Sequence, residues 1–146
     1  MSETRSPREV FRALLDGITA GRFAELDGFY AEDAVVEMVF EPVGPRLVEG
    51  RAALRERFLA LGERTPLELS ARDIVVRTTD DPEVVVGEWD YHVRHRGTGQ
   101  ELTVANIQVL RVRDGLIVHS RDFHDHLALT RLLGTVPQPV ADPDAG

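Results

Sequence analysis

Apolar positions in the first third of the chain recur with a helical period. Val10, Phe11, Leu14, Leu15 and Ile18 share one face of a 3.6-residue repeat, directly behind Ser6-Pro7-Arg8-Glu9. That tetrapeptide carries the Ser and Glu of a capping box and a proline at the first helical position. It predicts a first helix ending near Gly21. Phe23, Leu26, Phe29 and Tyr30 predict a second, shorter helix. Residues 34–40 read as a strand, which Pro42, Gly44 and Pro45 interrupt. Gly50 opens a third helix with Leu54, Phe58 and Leu61 on its apolar face and Gly62 as its stop.

After Pro66 the period changes from helical to alternating. Residues 67–79, 83–95, 101–113 and 116–126 read as four long strands. Their separators are Asp80-Asp81-Pro82, Gly97-Thr98-Gly99 and Asp114-Gly115, the last a two-residue signal for a type I′ hairpin. Strands joined this tightly pair antiparallel. The order α-α-β-α-β-β-β-β predicts an α+β domain, with helices against one face of a curling antiparallel sheet. No repeat or linker divides residues 1–146, which read as one domain with an ordered core over 7–134. The tail from Val136, with Pro137, Pro139 and Pro143, is expected to lack regular structure.

Alternation also sorts side chains between sheet faces. Trp89, Tyr91 and Val93 share one face of their strand, and Glu88, Asp90, His92 and Arg94 the other. Asn106 and Gln108 share a face with Val104 and Leu110, and Ser120, Asp122 and His124 with Val118. With the supposed register, one face gathers Asp90, Asn106, Gln108, Ser120, Asp122 and His124. Polar groups on a helix-covered face must be hydrogen-bonded, hydrated or functional. Three readings stand open: a ligand cavity, a solvated outer face, or a dimer interface. In a cavity, desolvation would raise the Asp122 carboxyl and suit it to acid–base work near neutral pH. Otherwise Asp122 pairs with Arg121 or Arg111, and Asp90 with Arg94. Trp89, the sole tryptophan, is read as a core or interface residue and a candidate substrate contact.

Composition narrows the classes. The chain has no cysteine, which excludes disulfides and thiolate metal sites and fits a cytoplasmic protein. A net charge of −8 argues against nucleic acid or anionic membrane as partner. The N-terminal residues have no apolar run of the kind a signal peptide needs. His124-Asp125-His126 lacks a third ligand at fixed spacing, and no H-E-x-x-H, phosphate loop or Gly-x-Ser-x-Gly elbow occurs. Neither a metal nor a cofactor is expected.

Several stretches resemble SnoaL-like proteins of the nuclear transport factor 2-like superfamily. They are Thr19-Ala20-Gly21-Arg22-Phe23, residues 29–35 and residues 48–55. Residues 112–117 followed by Arg121-Asp122-Phe123 resemble the family's last hairpin. The resemblance implies a curved sheet wrapped around N-terminal helices as a cone-shaped α+β barrel with an internal apolar pocket. It also implies a homodimer formed through the outer sheet face.

For chemistry, the resemblance implies that Asp122 stands at the acid site shared with limonene epoxide hydrolase and PhzA/PhzB-like phenazine-biosynthesis proteins. Asp90 is similar to the hydrolase's second aspartate, but Glu88 stands where that family has arginine. Leu14 replaces the ketosteroid isomerase tyrosine, Met38 its general base (or Glu41, with a shifted loop), and Gln108 its second oxyanion donor. Arg57 stands near the helix-three histidine of the PhzA/PhzB-like proteins, whose ending residues 129–138 resemble. The expected enzyme uses Asp122 as general acid or base on a small hydrophobic metabolite, in an isomerisation, cyclisation or (de)hydration. His124 and Asp90 assist, and Asn106, Gln108, Trp89 and Ser120 contact substrate. The rival readings are a non-catalytic metabolite-binding module and a dimerisation module with a collapsed pocket.

Overall fold

A computed structural model describes residues 4–42 and 46–133. The expected irregular tail from Val136, the Gly44-Pro45 interruption and the 134–138 part of the PhzA/PhzB-like ending lie outside these residues.

Helix α1 spans Pro7–Thr19, and its capping box forms as the sequence predicts. The Ser6 hydroxyl accepts from the Glu9 amide, and the Glu9 carboxylate accepts from the Ser6 amide. Val10, Phe11, Leu14 and Leu15 are buried against the sheet. The expected second helix is a 3-10 segment, Phe23–Phe29, that buries only Leu26. Strand β1 begins immediately, at Tyr30, and ends at Met38. A short strand, β2 (Leu47–Glu49), pairs with it.

Helix α2 (Arg51–Arg64) starts at Gly50, whose φ of 91° suits glycine. The Arg51 guanidinium donates twice to the Tyr30 carbonyl and so ties the helix start to β1. The helix continues past Gly62, where the sequence suggested a stop, because the next residues keep the helical hydrogen bonds up to Thr65.

The four long strands are β3 (Leu67–Thr78), β4 (Val84–His95), β5 (Glu101–Arg113) and β6 (Leu116–His124). The turn between β5 and β6 has Asp114 at φ 53° and Gly115 at φ 77°, the double positive φ of a type I′ turn. The sheet order is β2-β1-β6-β5-β4-β3. It is mixed rather than antiparallel throughout, since β1 runs parallel to β6. Register shifts in β3 near Asp73 (φ 55°) and between β5 and β6 mark bulges, which bend and twist the sheet. The last strand ends at His124, two residues short of expectation. Asp125 accepts from the Ala128 amide as a helix cap, and α3 (His126–Leu133) follows.

The core lies between α1, the start of α2 and the concave sheet face, around Phe11, Leu14, Leu54, Val93, Leu110 and Ile117. Trp89 packs edge-on to Phe11, ring centroids 5.4 Å apart. Among the described residues, no helix is long and apolar enough to cross a membrane.

Candidate active site

A cavity of about 740 Å³ opens between α1, α2, α3 and the concave sheet face. Its apolar lining includes Leu14, Ile18, Phe58, Leu61 and Leu129; its polar lining includes Tyr30, Tyr91, Gln108, Asp122, His124 and His126. The register explains the mixture. Trp89 pairs with Asn106, Gln108 with Asp122, Asn106 with His124, and Met38 lies beside Asp122. These side chains therefore enter from adjacent strands on the inner face.

Asn106, Gln108, Ser120 and Asp122 are the buried polar residues among those described. Asp122 Oδ1 accepts hydrogen bonds from Gln108 Nε2 at 2.9 Å and Ser120 Oγ at 2.5 Å. The other oxygen, Oδ2, lies 3.7 Å from His124 Nε2. Asn106 Nδ2 donates to the Val104 carbonyl, so its Oδ1 faces His124 Nδ1, at 2.9 Å. An amide oxygen only accepts, so Nδ1 carries hydrogen and Nε2 is left to exchange a proton on the Asp122 side.

The expected rise of the Asp122 carboxyl does not occur. Burial is the largest influence and pushes it up. The facing His124 imidazole and the Ser120 and Gln108 hydrogen bonds together outweigh burial and hold it below the ordinary carboxylate value. No arginine contributes: Arg121 pairs with Glu37, and Arg111 with Asp81 and Glu83. Burial, then the Asp122 charge, then Tyr91 push the Tyr30 hydroxyl well above its usual value. Tyr91 is also pushed up, by burial, which outweighs the opposing pull of the Trp89 N–H and is joined by a smaller push from Asp122. That N–H lies outside hydrogen-bonding geometry and is buried without a partner among the described residues. Both phenols stay protonated and can donate to a ligand oxygen.

Asp90 is not in this site. It pairs with Ala105 on the outer face, and Trp89 and Tyr91 point inward instead. The separator Gly97-Thr98-Gly99 is one residue shorter than the loop that forms. His95 and Gln100 close a loop over 96–99, and that single residue exchanges the two faces of β4. The anticipated partner is also absent, because Arg94 pairs with Glu68. Trp89 does line the cavity, as do Gln108, Asp122 and His124; Asn106 supports the His124 ring, and Ser120 supports Asp122.

Sequence reading gave no role to Tyr30 or Tyr91. Tyr30 looked helical, and Tyr91 stood on the face assigned away from Asp122. A second acidic and basic group, Glu41, Arg57 and His126, also reaches the cavity. His126 Nδ1 lies 3.2 Å and Arg57 Nη2 3.5 Å from Glu41 Oε2.

The sequence profile of the SnoaL-like domain matches residues 11–120. An uncharacterized protein of Bacillus subtilis (strain 168), YesE, is 30% identical over 105 residues, covering 70% of each chain. A solved Bacillus subtilis structure, provisionally called an isomerase, superposes with a TM-score of 0.78 at 24% identity, over 87% of this chain and 91% of that one. A Xanthomonas campestris pv. campestris structure, provisionally called a polyketide cyclase, gives 0.69 at 22% identity, over 90% and 96%. The chain belongs to the SnoaL-like family.

Proposed function

We propose that the protein is a small-molecule enzyme of isomerase or cyclase type, in which Asp122 exchanges protons with a hydrophobic, oxygen-bearing metabolite. The observation that carries this reading is the ionised carboxylate in the cavity, fixed through one oxygen by Ser120 and Gln108. Its second oxygen and His124 Nε2 form a pair that can accept a proton and return it. Asp122 acts first as base, since its carboxyl is held down rather than up. The protonated Tyr30 and Tyr91 hydroxyls stabilise negative charge growing on the ligand oxygen. Supporting the reading, two solved proteins similar in fold are provisionally called an isomerase and a polyketide cyclase.

We further propose a homodimer through the outer sheet face, where Ile107 is 40% exposed and Phe40 beside Phe123 is 61% exposed.

The test is proton–deuterium exchange in D2O across a panel of hydrophobic ketones, followed by NMR. The wild type should exchange the protons beside the carbonyl of a bound member. Asp122→Asn should slow exchange by roughly 10²–10⁴-fold, the usual contribution of a positioned acid–base group. Asp90→Asn should leave exchange unchanged, since that side chain lies on the other face. Exchange that survives Asp122→Asn would sink the mechanism, and a wild type that binds a ketone without exchanging its protons would favour a binding module.

A further inference from the structure

We propose that Glu41 and His126 form a second polar subsite of the cavity, one that selects ligands carrying a hydroxyl group by accepting the hydroxyl's hydrogen bond on His126 Nε2. The proposal rests on the reading of the cavity as a ligand site but not on the role of Asp122.

Glu41 follows β1 in a turn, its amide bonded to the Met38 carbonyl, and His126 is the first residue of α3. Two distant parts of the chain thus bring the pair together. Their side chains are only 11% and 13% exposed. The Glu41 carboxylate can only accept, and its charge 3.2 Å from Nδ1 favours the tautomer with hydrogen there and a lone pair on Nε2. That Nε2 is buried and has no hydrogen-bond partner among the described residues. Buried polar atoms in folded proteins are nearly always paired, so the missing donor is expected from the occupant of the cavity.

The charged and titratable groups facing this imidazole are Glu41 after β1, Arg57 on α2, and Asp122 and His124 on β6. Burial, the largest influence, pushes His126 down, and His124 and Arg57 add to this against Glu41 and Asp122. The ring is therefore neutral at physiological pH, as a hydrogen-bond acceptor must be. Its centroid is 5.5 Å from that of His124, so one ligand can reach both pairs. Phe58, Leu61, Leu129 and Leu133 supply apolar lining on α2 and α3. The ligand class is accordingly an alcohol, enol or phenol on a hydrophobic frame. The ligand hydroxyl donates its hydrogen bond to Nε2 and keeps its proton.

The probes are 2-naphthol and its methyl ether, 2-methoxynaphthalene, titrated calorimetrically into the full chain. They match in frame and differ in the donor hydrogen. In the wild type, 2-naphthol should bind at least tenfold more tightly. His126→Phe, which removes the acceptor, should bring the ratio to about one by weakening 2-naphthol alone. Glu41→Gln, which can donate to Nδ1 and so release the tautomer, should lower the ratio as well. In nitrogen-detected NMR of the wild type, the His126 Nε2 resonance should move with 2-naphthol and stay with the ether. A wild-type ratio near one, or a tenfold ratio that survives both substitutions, overturns the subsite. Binding of neither probe overturns it together with the ligand-site reading. A ratio kept in Asp122→Asn while exchange of ketone protons persists sinks the Asp122 mechanism and leaves the subsite standing.

Discussion

Two groups of the cavity favour opposite charge states at low pH than they hold at neutrality, and both tie stability to pH. His126 is held below its ordinary value of 6.5, so the unfolded chain takes up this proton first as pH falls. Its contribution is complete above about pH 6.5 and declines below it. Asp122 is held below its ordinary 3.8, so its contribution is present above that value and is lost as pH falls through the lower folded value. Urea denaturation at pH 7.5 and 5.0 should show a loss of stability that is smaller in His126→Phe than in the wild type. An equal loss in both proteins would contradict the assigned direction. Sequence alone identified Asp122 and its neighbours Gln108, Ser120 and His124, because polar residues at alternate positions in apolar strands are visible in one dimension. The sign of the Asp122 shift was not visible. It depends on two hydrogen-bond donors and the facing His124 imidazole, whose effects sum only when β5 and β6 are in register.

At the scale of elements, short-range signals suffice where the partners lie within one turn. The Ser6 cap, the Asp114-Gly115 hairpin and the Gly50 helix start all formed as expected. Replacing Ser6 with Ala should cost about 1 kcal/mol in denaturant unfolding, the usual value of an N-cap. Gly87 makes a longer-range demand. A methyl group there would overlap the Phe11 ring of α1, so Gly87→Ala forces repacking where the helix crosses β4. It should destabilise by about 1–3 kcal/mol, the range for overpacked cores, and a neutral result would mean that Phe11 moves freely. Element ends were less legible. The final strand yields to a helix because Asp125 caps it, a signal that His124-Asp125-His126 obscured.

Across the whole molecule, the cavity and the outer sheet face are products of one curvature. Alternation along β5 and β6 turns Asn106, Gln108 and Asp122 inward and leaves Ile107 and Phe123 outward. If the outer face meets a second copy, Ile107→Glu should convert a dimer into a monomer in sedimentation equilibrium. A wild-type chain that remains monomeric at all concentrations refutes the dimer.

Read alone, the chain determined its α+β class, its four long strands, its caps and the polar residues of β5 and β6. Each of these is decided by neighbours a few positions away, whose spacing the sequence preserves. Only the tertiary structure decided that Trp89 and Tyr91, not Asp90, face Asp122, since one residue in the 96–99 loop exchanges the faces of a whole strand. It alone brought Tyr30 to the cavity and His126 to Glu41. Those contacts join segments far apart in the chain, and chain closure over such distances leaves no local pattern to read.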